Sequence, residues 1–270
     1  MQTSTVNSST QHKQRNTWYA WLICIVASLF FFYEFLQLNI FDPITQDLAA
    51  DFHIGPKHLG YLASMYFYGN FMMVIPAGML LDRFSTKLLV LLALILCVAS
   101  IIIFSVTDSY LVAAVSRLIE GMGAGFCFLS CLRLASRWFS ANRLAFVTGV
   151  IVTMAMLGGM VAQTPMALLT DAVGWRQAML FNGFLGIFIM LLIFFIVKDR
   201  PREDAVEATE EHDHLKKLGV FRSLLFVVKN KYNWLGGLYT TLMNLPIFII
   251  GALWGMLYLQ QVHGLGRQEA

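Results

Sequence analysis

The dominant pattern along the chain is long apolar runs separated by short polar joins. A helix needs about 20 apolar residues to cross a bilayer core at roughly 1.5 Å per residue. Seven stretches meet that length: Tyr19–Ile40, Leu59–Leu80, Leu88–Val106, Tyr110–Leu134, Ala145–Thr170, Gln177–Val197 and Trp234–Leu259. The joins are short except the one before the seventh span. That join, Lys198–Asn233, opens on a charged run, carries an acidic patch at Glu207–Asp213, and ends in Leu215–Lys231, whose basic and apolar residues suit a helix lying on the membrane surface. The pattern therefore predicts an all-α membrane protein in four parts. These are a leader (1–18), a six-helix bundle (19–197), an inter-bundle linker (198–233) and a seventh transmembrane helix that begins an incomplete second bundle (234–270).

Charge adds orientation. If the N-terminus is cytoplasmic, fourteen of the nineteen lysines and arginines fall on the inner side. Lys57, Arg176 and Arg267 fall outside, and Arg117 and Arg133 lie within the fourth span. Because basic residues are retained on the cytoplasmic side, the expected state is a multi-pass protein of the plasma (inner) membrane with its N-terminus inside. Composition agrees: hydrophobic residues are 58% and charged residues 13%, where soluble domains hold about 25% charged. Basic blocks with interleaved aromatics are absent, so no nucleic-acid partner is expected. The four cysteines lie in apolar runs without metal-ligand spacing and read as packing residues, with no disulfide, metal or cofactor expected.

A shift of 89 residues lays spans one to three on spans four to six. It aligns Gly78-Met-Leu-Leu-Asp82 with Ala167-Leu-Leu-Thr-Asp171, and Lys87 with Arg176. Three helices is an odd number, so the second copy must run inverted in the bilayer. The first six spans thus read as a bundle of two inverted three-helix repeats, an architecture used for alternating access.

Three motifs carry a family resemblance. Gly78-Met-Leu-Leu-Asp82-Arg83-Phe-Ser-Thr-Lys87, between spans two and three, keeps Gly78, Asp82, Arg83 and Lys87 of the signature Gly-x-x-x-Asp-Arg-x-Gly-Arg-Lys/Arg, with Ser85 and Thr86 where Gly and Arg are usual. Arg117-Leu-Ile-Glu-Gly121 in span four is similar to Arg-x-x-x-Gly, and Arg137-Trp138-Phe139 and Gly174-Trp175-Arg176 follow in order. Together they resemble the major facilitator superfamily, most of all its importers of organic anions, sugar phosphates and related nutrients. The resemblance implies twelve spans in two bundles, so the chain reads as a truncated form with a missing C-terminal half as its partner. It implies a conformational-switch role for Gly78, Asp82, Arg83 and Lys87. In that role Gly78 permits close helix approach, and Asp82 and Arg83 pair or engage helix ends across the halves.

Charges at membrane depth are costly and point to function. Glu34 in span one and Arg117 in span four lie six and seven residues from the outer end of their spans, about 10 Å deep. The family fold makes those two helices neighbours. Three readings stay open: a proton-responsive Glu34–Arg117 pair, a static bridge between them, or an Arg117–Glu120 pair on one helix that leaves Glu34 protonated. Tyr33 and Gln37 extend the polar stripe from Glu34. Gln163, with Thr164 beside Pro165, and Tyr239 and Asn244 in span seven, are weaker candidates for substrate contact. Arg133 reads as a snorkelling anchor. In span five, Ala162-Gln163 stands where drug exporters of the family have Gly-Pro, which favours uptake.

The expected function is secondary active transport, a proton-coupled uptake of an organic anion or zwitterionic nutrient across the lipid bilayer. The competing classes are a seven-helix receptor or sensor and a non-transporting helical membrane fragment. The basic-residue bias opposes the usual receptor orientation, and span seven has no Lys for a retinal Schiff base. An enzyme is not expected, since neither His-Glu-x-x-His nor Gly-x-Ser-x-Gly occurs.

Overall fold

A computed structural model of the chain describes residues 17–199, 228–246 and 262–263. The chain divides into two compact units, Met1–Ala208 and Thr209–Ala270. In the first unit the described elements are α1 (Thr17–Asn39), α2 (Phe41–Asp51), α3 (Pro56–Arg83), α4 (Thr86–Val106), α5 (Tyr110–Ala124), α6 (Cys127–Trp138), α7 (Ala141–Ala162), α8 (Thr164–Val173) and α9 (Trp175–Ile196). Taking α5 with α6 and α7 with α8 gives six helices long and apolar enough to cross a membrane. The second unit contributes α10 (Lys231–Pro246), which covers the start of the expected seventh span. The rest of that span, and nearly all of the expected surface helix at 215–231, lie outside the described residues.

Two of the six spans are broken, each for a local reason. Pro165 brings no N–H to the helix ladder and crowds the turn before it, and the chain breaks at Gln163 (φ −78°, ψ −100°). The fourth span breaks at Gly125-Phe126. The sequence reading also placed no helix between spans one and two, where the structure has α2. Its Phe41, Ile44 and Leu48, on one helical face, are buried. They join Leu36, Ile40, Phe104, Met166 and Trp175 in a second apolar cluster at that end of the bundle.

The inverted repeat is visible in the packing. Where α3 crosses α5, a side chain on Gly69 would strike the Leu118 carbonyl, and one on Gly121 the Tyr66 carbonyl. Where α7 crosses α1, a side chain on Gly158 would strike the Phe32 carbonyl. Gly69 and Gly158 are 89 residues apart, as are Pro76 and Pro165. Small residues let helix backbones approach where lipid supplies no hydrophobic drive. Gly78, expected to serve that purpose, has open space on its Cβ side. It lies beyond the crossing, about two and a half helical turns after Gly69.

The third helices of the two repeats, α4 and α9, pack antiparallel and cap one another. Lys87 Nζ, at the start of α4, donates to the Phe194 carbonyl in the last turn of α9 at 2.5 Å. Arg176, at the start of α9, donates to the Ser105 and Thr107 carbonyls at the end of α4, at 3.1 and 2.8 Å. Both the two donors and the carbonyls of Ser105 and Phe194 are 89 residues apart. Cations suit these positions because the last carbonyls of a helix are unpaired and carry its negative dipole end.

Candidate functional site

The core of the bundle brings together side chains from six elements. Glu34 of α1 is 2% exposed, Arg117 of α5 is 2% exposed and Glu120 of α5 is fully buried. Burying such charges costs several kcal/mol per ion unless partners compensate, so the partners define the site. Arg117 Nη1 donates to Glu120 Oε2 at 3.0 Å and to the Gln37 carbonyl at 3.3 Å. Its guanidinium also lies between two ring faces, 5.2 Å from the Phe41 centroid and 5.1 Å from that of Tyr66, where the aromatic quadrupoles attract it.

Glu34 is held differently. Tyr66 Oη donates to Glu34 Oε2 at 3.2 Å, and Cys97 Sγ donates to Glu34 Oε1 at 2.9 Å. The arrangement observed therefore pairs Arg117 with Glu120, one turn along the same helix. Glu34 is bonded to two neutral donors, with Arg117 close enough to act on it through space. Below, Asn182 Nδ2 of α9 donates to Gln37 Oε1 at 3.1 Å. Tyr33, also buried, lies over Gly186. Polar capacity is left over: Arg117 Nε, Glu120 Oε1 and Asn182 Oδ1 are buried without a hydrogen-bond partner.

Gln163 stands at the break in the fifth span, near Asp42 at the start of α2. Partial burial raises the Asp42 carboxyl above its ordinary range, and the Arg117 charge and the neighbouring Gln163 act against that rise. Tyr239 and Asn244 lie in α10, in the second unit, and the Asn244 amide donates to the Thr240 carbonyl of its own helix at 2.8 Å.

The signature-loop residues lie at the end of the bundle where α1 begins. Asp82 forms an ion pair with Arg133 of α6. Arg133, expected from sequence as a snorkelling anchor, thus has a partner in the signature loop that the sequence did not reveal. Its position near a helix end fits both roles, and the packing of α3 against α6 brings the two side chains together. Lys87 carries the cap described above, and its backbone N–H donates to Asp199 Oδ1 at 2.6 Å. Arg83 is exposed.

Sequence reasoning missed Tyr66, Cys97 and Asn182. Each is a polar group set singly in an apolar run, a weak signal, and Cys97 was read only as packing. Asp42 was missed because its segment was read as a join.

The Major Facilitator Superfamily model matches residues 20–270. The probable sulfoacetate transporter SauU of Cupriavidus necator is 26% identical over 191 residues, covering 70% of this chain and 44% of that protein. The drug efflux pump JefA of Mycobacterium tuberculosis is 28% identical over 172 residues, covering 63% of this chain and 34% of that protein. The chain therefore spans less than half the length of these two relatives. Among solved structures, a bacterial homologue of the human lysosomal transporter Spinster, inward-facing and unoccupied, superposes with a TM-score of 0.68 at 16% identity. That match covers 93% of this chain and 58% of the other.

Proposed function

The chain belongs to the major facilitator superfamily, and from that membership we propose a secondary transporter that takes up a small organic anion or zwitterionic nutrient with protons. The observation that carries the proposal is the buried group of Glu34, Arg117 and Glu120 with hydrogen-bonding capacity left over at its centre. A purely structural core would satisfy such atoms. A core that opens to water and solute during part of its cycle meets its unpaired donors and acceptors then.

Arg117 supplies the anion-binding charge in this reading. Glu120 and the Gln37 carbonyl hold it until a carboxylate, phosphonate or sulfonate competes for the guanidinium, whose planar fork suits such groups. Glu34 is the proton-responsive carboxyl, held apart from the ion pair by Tyr66 and Cys97. Gln37, Tyr33 and Gln163 line the path, and Asp42 with Gln163 forms its entrance beside α2. The Asp82–Arg133 pair and the cap from Lys87 hold one arrangement of the bundle end. A second helical bundle works against this one, a reading supported by the greater length of the relatives. The substrate class is supported by SauU, which is named for an organic anion. Uptake is supported by Ala162-Gln163 in span five. JefA is named as an efflux pump, so direction belongs in the test.

The test measures accumulation of sulfoacetate and a panel of small carboxylates in vesicles with imposed proton gradients. With Glu34→Gln, gradient-driven accumulation is expected to be lost while solute exchange persists, because the titratable site is gone and the cavity keeps its shape. Normal proton-driven accumulation by this variant would refute the role of Glu34.

A further inference from the structure

We infer that Cys97 is a positioning residue for Glu34, a neutral donor that fixes the carboxyl and sets the pH at which it changes protonation state. The inference rests on the proton-responsive reading of Glu34 for its functional meaning, but the bond itself stands on geometry.

Cys97 is fully buried on α4, and its thiol is 2.9 Å from Glu34 Oε1. The sulfur also lies 3.6 Å from the Glu120 carbonyl, a second and weaker acceptor. Its place is fixed from behind, since a side chain on Gly123 of α5 would collide with Sγ. A side chain that merely filled space would not need a polar atom aimed at a carboxylate oxygen across a helix interface. Tyr66 occupies the other oxygen from α3, so Glu34 is clamped by donors from two helices while its own helix carries neither.

The groups facing Glu34 are few. They are Tyr33 on its own helix, Tyr66 on α3, Cys97 on α4, Arg117 and Glu120 on α5, and Cys127 on α6. Arg117 is engaged by Glu120, which leaves the two neutral donors as the direct contacts. A thiol is a weak donor, yet it loses no charge to desolvation and remains protonated while its acceptor ionises. A hydrogen bond to a charged group is worth enough to displace a titration by about one pH unit.

The experiment uses the 270-residue chain in lipid nanodiscs, with Cys24, Cys127 and Cys131 changed to Ala so that Cys97 is the sole thiol. The infrared S–H stretch, in a window free of other protein bands, is expected at the low frequency of a thiol donating to a carboxylate. It is expected to move to higher frequency with Glu34→Gln. An S–H band at the same position in both chains overturns the bond. The Glu34 carboxyl band, identified as the one missing in Glu34→Gln, is then titrated. Cys97→Ala is expected to displace its midpoint by about one pH unit, and Cys97→Ser, which keeps a donor, to restore it. An unmoved midpoint, a carboxyl band that does not titrate over the accessible pH range, or equal displacement by Ala and Ser overturns the positioning role. Neither readout depends on uptake, so a failed transport role for Glu34 appears only in the vesicle assay.

Discussion

The two carboxylates of the core, Glu34 and Glu120, lie in the same buried cluster and differ in the donors they accept from. Glu120 accepts from Arg117, whereas Glu34 accepts from a phenol and a thiol. Removing one charge of a buried pair leaves the other desolvated and uncompensated, at a cost of about 3–5 kcal/mol. Glu120→Gln is therefore expected to lower the folded yield and the melting temperature in detergent markedly. Glu34→Gln keeps the Arg117–Glu120 pair intact and is expected to leave both nearly unchanged. Thermal unfolding of the two variants side by side checks this, and equal losses would show that Arg117 depends on Glu34 as much as on Glu120. The identities of these charged residues were plain in the sequence. Their pairing was not, because three-residue spacing on one helix and juxtaposition of two helices were both sterically open. Tyr66 and Cys97 were less legible still, since a phenol or thiol in an apolar span looks the same whether its polar atom meets a carboxylate or packs against methyl groups.

At the scale of elements, the paired caps of α4 and α9 are the clearest product of the repeat. Each helix carries a basic residue at its second position that reaches the partner's last carbonyls. The two ends are not equally built. Arg176 also pairs with Asp108 at 2.7 Å and approaches Asp51 at 3.4 Å, stacking over Trp175, whose indole donates to Asp51 at 2.7 Å. At the other end the backbone N–H of Lys87 bonds Asp199 and survives any change of the Lys87 side chain. Arg176→Gln is therefore expected to lower thermal stability more than Lys87→Gln, with cap contributions of about 0.3–1 kcal/mol each. The ends are separated by the length of a helix of 21 residues, about 30 Å, so the double variant should be additive. Melting of the three variants in one detergent is the check, and a non-additive double variant would mean that the ends are coupled through the helix pair. The span pattern and the 89-residue shift were readable because lipid demands long apolar runs and because both copies keep their basic residue. The break at Gln163, the break at Gly125-Phe126 and α2 were not placed, although Pro165 and the spacing of Phe41, Ile44 and Leu48 were there to read.

For the molecule as a whole, orientation is the property on which the transport reading depends, since it decides which end of the bundle is the entrance. On the basic-residue bias, we propose that the N-terminus and the Asp82–Lys87 loop lie in the cytoplasm. Single cysteines at Ser8 and Ser109, in a background lacking the four native cysteines, are expected to differ in intact cells. An impermeant thiol reagent should label the Ser109 site and spare the Ser8 site, and the reverse result would invert the assignment. Membrane class, span count in the first unit and family were all fixed by one-dimensional information: hydropathy over about 20 residues, the sidedness of Lys and Arg, and short motifs at helix ends. These features are local or additive along the chain, so they survive without coordinates. Which donor holds Glu34, which carboxylate holds Arg117, and that Arg133 meets Asp82 were settled only when the helices packed. Such contacts depend on rotation and axial shift between helices, where a one-residue change turns a side chain by about 100°, and no pattern within one apolar span specifies that.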